Sequence, residues 1–285
     1  MENNEIKTNQ LILGAIIGDV LGSPYEFEKD IPRNLPLLNK ECRFTDDTVM
    51  TVAVMEWLLN SVKDGEEALT VEALTDLFRK WGRKYYYAGY GGRFRKWLAA
   101  DTYEPINSFG NGSAMRVSPV AWWFDNEEDV LKYAEISALP SHDHPEGIKG
   151  AKAIALAVFL ARHRTPKHEI AQRITELTGY DLNRQLEDIR ENYKFDATCQ
   201  GSVPESIIAY LESRDLPTAI LNAIWLNGDT DTMADMAAAI AEARHGTAVT
   251  PFAITDFVLR RLPIDMKKII YDFSKQVLLR ESQRY

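Results

Sequence analysis

Apolar residues recur three and four positions apart along most of this chain. Such spacing places them on one face of an α-helix, because the helix completes a turn every 3.6 residues. Alternating strand patterns bounded by turn residues are scarce, and the flanks of the one Asn-Gly dipeptide, Asn111-Gly112, do not alternate. We therefore predict an all-α fold. The clearest predicted helices cover residues 11–21, 49–59, 71–81, 148–160, 219–226, 233–243 and 257–279.

The chain has the length of one large domain. Its 285 residues are enough to bury a substantial core. No linker rich in Pro, Gly or Ser divides it, no repeat recurs at a fixed period, and the polar stretch 181–195 is typical of an exposed helix and loop. We expect a single domain over residues 1–285.

Charge and cysteine content limit the class of function. Lys and Arg number 33 and Asp and Glu number 42, so the net charge is −9. A general nucleic-acid or anionic-membrane binder needs a basic face, so we expect neither function. A small anionic substrate remains compatible, because bound divalent metal would reverse the local charge. The two cysteines, Cys42 and Cys199, cannot form a disulfide framework or a thiolate zinc site.

Segments that would direct the chain to a membrane or out of the cell are not visible. Residues 1–7 lack a basic stretch followed by an apolar one, so we expect no signal peptide. The longest apolar run, residues 153–161, is too short to span a bilayer. These features predict a cytoplasmic protein that does not bind membranes.

Two short acidic clusters stand far apart, each directly before a predicted helix: Thr45-Asp46-Asp47-Thr48 and Asp229-Thr230-Asp231-Thr232. Oxygen-bearing side chains at a helix start often only cap it, because they accept from unpaired backbone N–H groups. Each cluster holds two acids with flanking threonines, which is more than a cap requires. Hard oxygen donors suit Mg²⁺ or Mn²⁺. We predict that folding joins the clusters around metal; capping is the alternative.

The first predicted helix carries glycines at a regular interval. Gly14, Gly18 and Gly22 line one face and would allow close approach of a neighbouring backbone, although glycine lowers helix propensity. Asp19 interrupts the apolar pattern beside Gly18. Glu26 adds an acid where the helix opens into a loop.

A glycine-rich segment, residues 108–116, opens another predicted helix that extends to residue 121 or 123. Free N–H groups at a helix start favour anions such as phosphate, although such an entrance is also common as plain structure. The segment is not a P-loop, because the Gly-Lys-Ser/Thr element is missing.

Two further segments allow two interpretations each. His142 and His144 in a turn could hold a ligand, or serve as a cap or solvated residue. The tyrosine- and glycine-rich stretch 85–93 is either a flexible lid that stacks on a flat ring or a packed loop. Neither a zinc-protease signature nor a nucleophile elbow is present. The segment 229–232 is similar to the nucleophile motif of haloacid-dehalogenase phosphatases, but that motif ends an early buried strand.

Taken together, five segments resemble the ADP-ribosylglycohydrolase family, which includes the dinitrogenase-reductase-activating glycohydrolases. They are residues 14–26, 44–48, 109–116, 141–147 and 227–232, in the order of the family. Segment 241–246 departs from the family, which often has a small residue and tyrosines there. The resemblance implies an all-α fold with two Mg²⁺ or Mn²⁺ ions in a central cleft.

The resemblance also implies site residues, position by position. The implied metal ligands are Thr45, Asp46, Asp47, Asp229, Asp231 and Thr232. The implied substrate-binding residues are Asp19, Gly110, Asn111, Gly112, Ser113, His142 and His144. Glu26, Asp47 and Asp229 are the implied catalytic residues.

The expected function is metal-dependent hydrolysis of the glycosidic bond between ADP-ribose and an acceptor. We expect arginine-linked protein as the first substrate, with small ADP-ribosyl compounds as the other class, and action as a monomer. Two alternatives remain: a module that binds ADP-ribose without cleaving it, and a metal-dependent phosphatase.

Overall fold

The computed structural model describes residues 7–283. Residues 1–6, on which the expectation about a signal peptide largely rests, and residues 284–285 lie outside the described part. The described helices are α1 Gly14–Gly22, α2 Asp46–Asp64, α3 Val71–Lys84, α4 Gly92–Ala99, α5 Gly112–Met115, α6 Ser118–Trp123, α7 Glu127–Ala138, α8 Pro145–Arg162, α9 Lys167–Thr178, α10 Leu186–Asn192, α11 Cys199–Leu211, α12 Leu216–Trp225, α13 Thr230–His245, α14 Phe252–Leu259 and α15 Ile264–Ser282. Short 3₁₀ turns cover Thr8–Gln10, Ser23–Tyr25, Glu66–Ala68 and Thr247–Val249.

Helices account for all the regular structure of residues 7–283, apart from one isolated β-bridge between Gly110 and Thr198. The all-α prediction is confirmed. Six of the predicted helices correspond to α1, α2, α3, α8, α12 and α13. None of the described helices combines the length and the apolar character needed to cross a bilayer.

Two helices that were predicted as continuous are each interrupted in the structure. The stretch 257–279 is two helices, α14 and α15, because Pro263 has no N–H group to donate and disfavours helical backbone at the preceding residue. The helix predicted after the glycine-rich segment is likewise two, α5 and α6. Pro119 lies in the first turn of α6, where the missing N–H costs nothing.

Helix α13 lies at the centre of the molecule. All residues from 230 to 243 are buried, and α1, α8, α11 and α12 pack around it. Its sequence is rich in alanine, which allows neighbouring helices to approach from several sides. Because α13 begins with the second acidic cluster, this packing fixes the position of that cluster.

The glycine series of α1 faces α13. A Cβ atom added at Gly18 would lie 2.1 Å from the carbonyl oxygen of Ala234, and one added at Gly22 would lie 2.4 Å from that of Thr230. Close helix packing is therefore the reason for these glycines, as their spacing indicates. The contact brings Asp19 of α1 to the N-terminal half of α13.

Candidate metal centre and cleft

The two acidic clusters converge in the folded chain, together with Asp19 and Glu26. One carboxylate oxygen each from Asp19, Asp47 and Asp231 lie within 4.8 Å of one another. A second group of the same dimension contains Glu26, Asp229 and Asp231. We refer to these five side chains as the acid cluster. Asp231 belongs to both groups, so the arrangement offers two adjoining positions for cations.

Asp19 ties the first acidic segment to α1. Its fully buried carboxylate accepts hydrogen bonds from the backbone N–H groups of Thr45, at 2.9 Å, and Thr48, at 3.1 Å. The hydroxyl of Thr45 donates to it at 2.7 Å, and the hydroxyl of Thr48 also donates. Asp19 thus lies beneath the start of α2, outside the lining of the cavity described below.

Helix-start hydrogen bonds account for Thr45 and for one oxygen of Asp231, whose Oδ1 accepts from the N–H of Thr232 at 2.9 Å, but not for the other acids. The Thr45 hydroxyl accepts from the N–H of Asp47 at 3.4 Å and caps α2. Asp229 occupies the cap position of α13 but makes no capping hydrogen bond there; its Oδ2 accepts from Asn111 Nδ2 at 2.7 Å. Buried Oδ1 of Asp47 has no hydrogen-bond partner. An unpaired buried carboxylate oxygen is costly unless it binds a cation or a proton.

The protonation of the cluster reflects burial among like charges. Burial raises the pKa of Asp47 and of Asp231 well above the usual value, and neighbouring carboxylates raise it further. Burial and the charge of Asp229 raise the pKa of Glu26 to about 7. Burial and Asp19 raise the pKa of Asp46 to about 8. Divalent cations would stabilise the ionised forms, so these residues fit a metal centre.

The acid cluster borders a cavity of about 430 Å³. Five acids line it: Glu26, Asp46, Asp47, Asp229 and Asp231. Thr45 and Thr232 line it as well, so the six expected metal ligands all face one space. Three arginines, Arg43, Arg93 and Arg116, also contribute to its wall.

The positive side chains are not spread evenly. Burial lowers the pKa of His142 well below its usual value, and the charges of Arg116 and Arg93 lower it further. The charges that act on Glu26 are instead those of Asp229, Arg43 and Asp19. We call the part of the wall with Glu26, Asp229 and Asp231 the acidic end, and the part with His142, Arg93 and Arg116 the arginine end. The two parts adjoin, since Asn111 bonds Asp229 and the charge of Asp46 acts on Arg116.

His142 is held neutral at the arginine end, because burial lowers its pKa. Its Nδ1 lies 2.8 Å from the Ser141 hydroxyl, which accepts from Arg116 Nη2 at 3.0 Å. A Cβ at position 112 would lie 3.0 Å from His142 Nε2, so Gly112 gives the ring its space.

The other expected substrate-binding residues fall into two sets. Gly110, Asn111 and Gly112 line the cavity. Ser113 does not; its buried hydroxyl donates to the Gly147 carbonyl at 2.7 Å. His144 is also outside the lining, because its Nδ1 caps α8 by accepting from the N–H of Glu146.

The tyrosine-rich loop is packed in part and exposed in part. Tyr85 packs in parallel on Trp81 and donates to Asp265 at 2.7 Å, and Tyr90 is buried. Tyr87, in contrast, is 95 % exposed and borders the cavity. The ends of the loop are packed, while its tip is free to meet a ligand.

Sequence reasoning did not assign the arginine end. Arg116 lies inside the segment 109–116, and Arg93 ends the tyrosine-rich stretch, but neither was given a role. Both could have been singled out as cations within or beside glycine-rich stretches, because arginine next to free backbone N–H groups suits phosphate. Phe27 and Phe195, near the acidic end, carried no sequence signal.

Comparison with known proteins agrees with the fold. The family model described as ADP-ribosylglycohydrolase matches residues 5–281. The ADP-ribosylhydrolase ARH3 of Mus musculus is 27% identical over 312 residues, with 84% of each chain covered. An uncharacterised protein of Archaeoglobus fulgidus is 24% identical, with 84% of this chain and 88% of that protein covered.

Among solved structures, one described as an ADP-ribosylglycohydrolase-related protein complex has the same fold. The TM-score is 0.72 at 22% identity, and the match covers 95% of this chain and 100% of the other.

Proposed function

The chain belongs to the ADP-ribosylglycohydrolase family, and from that premise we propose that it hydrolyses the bond between C1″ of ADP-ribose and an acceptor. The observation that carries the proposal is that a single cavity is lined both by acids of the acid cluster and by arginines. An ADP-ribosyl group suits such a lining, because its pyrophosphate is anionic and its terminal ribose carries hydroxyls that metal-bearing carboxylates can orient.

The site residues would hold two Mg²⁺ or Mn²⁺ ions. The proposed ligands are the six expected from the resemblance: Thr45, Asp46, Asp47, Asp229, Asp231 and Thr232. The ions, when bound, would supply a template for the ribose 2″- and 3″-hydroxyls and Lewis-acid assistance to water. The acid cluster supports this assignment, because Asp47, Asp229 and Asp231 are buried without cationic side chains as their main neighbours. Asp19, beneath the cluster, would position the start of α2.

The protein's own groups would then handle charge and protons. Cleavage of a glycosidic bond passes through an oxocarbenium-like state, which the carboxylates of Asp47 and Asp229 can stabilise electrostatically. Glu26 reaches the cavity with a pKa raised to about 7 by burial and Asp229, so it can accept and return a proton near neutral pH.

The remaining polar residues would orient the nucleotide. The imidazole of His142 would contact the nucleotide at the arginine end, and Gly110 and Gly112 leave space beside it. Asn111 fixes the Asp229 carboxylate. We propose arginine-linked ADP-ribosylated protein as substrate, with action as a cytoplasmic monomer.

Release of free ADP-ribose tests the proposal. The protein is incubated with ADP-ribosylated arginine, serine and small-molecule substrates in Mg²⁺, Mn²⁺ or chelator, and ADP-ribose is separated by chromatography. We expect release in Mg²⁺ or Mn²⁺ and none in chelator. Asp231→Asn should lower the rate by at least about 10²-fold, since it removes the carboxylate shared by both groups. Asp64→Asn, at the exposed far end of α2, is the matched control.

Other results would support another function. Binding of ADP-ribose without release from any substrate would identify a binding module. Phosphate release from simple esters, with no ADP-ribose, would identify a phosphatase. Full activity of Asp231→Asn with an unchanged metal requirement would refute the assigned metal centre.

A further inference from the structure

Two exposed phenylalanine rings stack on each other at the edge of the cavity. The ring centroids of Phe27 and Phe195 are 5.9 Å apart with an interplanar angle of 26°. Phe27 is 78 % exposed and Phe195 is 49 % exposed. They come from distant segments, since Phe27 follows the 3₁₀ turn Ser23–Tyr25 and Phe195 precedes α11. Large apolar surface left in water next to a cavity is typical of a contact site for a ligand.

The aromatic pair lies at the acidic end of the cavity. Phe195 lines the cavity itself. Phe27 directly follows Glu26, whose carboxylate is grouped with those of Asp229 and Asp231. The pair therefore lies beside the acid cluster. The segment of Phe195 also runs next to the glycine-rich segment, since the Ala197 carbonyl accepts from the N–H of Asn111 at 2.9 Å.

This position gives the pair a defined relation to the substrate. With C1″ over the acid cluster, as the proposed function requires, the acceptor bonded to C1″ also lies beside the cluster. Phe27, which follows Glu26, and its stacking partner Phe195 are exposed aromatic side chains at that place.

We infer that Phe27 and Phe195 contact the acceptor and favour the guanidinium group of an ADP-ribosylated arginine; this rests on the proposed function. A guanidinium is planar and cationic, and it stacks on aromatic faces more readily than a hydrated ammonium does. A serine acceptor has no cation for the rings, so the pair discriminates between the two linkages.

The test compares two acceptors that carry the same ADP-ribosyl group. Two peptides of the same sequence, one ADP-ribosylated on arginine and one on serine, are assayed with wild type, Phe27→Ala and Phe27→Tyr. Phe27→Ala should lower kcat/KM for the arginine-linked peptide about three- to tenfold, because one π face is lost. The serine-linked peptide should change less than twofold. Phe27→Tyr keeps an aromatic face and should retain wild-type kcat/KM.

Two controls separate acceptor contact from other effects. Free ADP-ribose has no acceptor, so its inhibition constant should be the same in wild type and Phe27→Ala. Phe252→Ala removes a ring that is 69 % exposed but outside the cavity lining, and should change no constant.

Three results would overturn the inference. A weaker inhibition by ADP-ribose in Phe27→Ala, in proportion to the loss in kcat/KM, would mean that the pair stacks on the nucleotide. An equal loss for both peptides, or no loss for either, would remove its role in acceptor choice. If the wild type releases no ADP-ribose, the proposed function fails, independently of the inference about the pair. In that case, the affinity of the same variants for the intact arginine-linked peptide shows whether Phe27 and Phe195 contact the acceptor.

Discussion

Glu26 is the only glutamate of the acid cluster, and it stands on a loop instead of a helix. Its carboxylate is partly buried and lines the cavity, whereas Asp19, Asp47 and Asp231 are each less than 5 % exposed. A longer side chain on a loop can approach a substrate from the open side of the cavity. Together with the pKa raised to about 7, this makes Glu26 the best-placed proton carrier of the cluster.

Glu26→Gln should separate proton transfer from substrate binding. Glutamine keeps the shape of the side chain but carries no exchangeable acid proton, so we expect kcat to fall about 10²- to 10⁴-fold. Inhibition by free ADP-ribose should change much less. The measurement is steady-state kinetics on the best substrate, with the exposed neighbour Glu28→Gln as control. A kcat within a fewfold of wild type would assign the proton to another acid.

Residue identity alone predicted the site in part. The acids of residues 45–48 and 229–232 were expected to converge, because hard oxygen donors in such number have few uses other than metal binding. They do converge. Asp19 was expected at the substrate end but is enclosed under Thr45 and Thr48. That position depends on how closely α1 approaches α13, which no local sequence pattern predicts.

At the scale of helices, apolar spacing located six elements, among them the amphipathic α3, but missed others, including the largely buried α11. Helix α13 was evident from its apolar residues. The break between α14 and α15 was missed although Pro263 was visible, since the apolar pattern continues on both sides of it. Helices α7 and α9 were not assigned, because their first turns consist mainly of charged residues. Tertiary packing, not periodicity, stabilises such helices.

The contact between α1 and α13 can be tested at one glycine. Gly18→Ala places a methyl group 2.1 Å from the Ala234 carbonyl oxygen, so the two helices must separate. We expect a loss of about 1–3 kcal/mol in the free energy of unfolding, even though alanine favours the helix. Urea denaturation measures it. Gly92→Ala meets no atom within 4 Å and should change stability by less than about 0.5 kcal/mol. Equal stabilities for the two variants would contradict the packing argument.

The opposite end of α13 carries an acid that caps α1. Glu242 Oε1 accepts from the backbone N–H of Leu13 at 2.9 Å, where α1 has unpaired N–H groups. Burial nevertheless raises the pKa of Glu242 to about 7. The folded state therefore holds a proton that the unfolded chain releases near pH 4.5, so this group's contribution to stability is complete below about pH 4.5 and is lost as the pH rises through about 7.

Glu242→Gln should remove that dependence. Relative to the variant, the wild type should lose free energy of unfolding as the pH rises from 5 to 7.5. Above pH 7.5 the difference between the two proteins should stay constant. Both proteins are measured by denaturant unfolding in chelator, so that the acid cluster contributes equally and cancels in the difference. A difference that stays constant over this range would show that Glu242 does not titrate there.

At the scale of the whole molecule, the cavity joins parts of the chain that are far apart in sequence. Helices α2, α4, α5 and α13 all begin at its wall, with residues 46, 92, 112 and 231 among those that line it. Helix N-termini carry partial positive charge, which favours anions and carboxylates nearby. The fold thus collects four such ends around one space and places the acid cluster and the arginines within it.

A divalent cation at the acid cluster should therefore stabilise the entire fold. It would bridge α1, α2 and α13 and offset the repulsion among carboxylates that are already buried, whereas the unfolded chain offers no such site. At a concentration 100 times the Kd, binding contributes about 2.7 kcal/mol, which corresponds to a rise in Tm of roughly 5 °C. Thermal unfolding in Mg²⁺, Mn²⁺ and chelator measures it. Asp231→Asn should lose the response, and Asp64→Asn should keep it. An identical Tm in all three conditions would mean that the carboxylates hold protons and not metal.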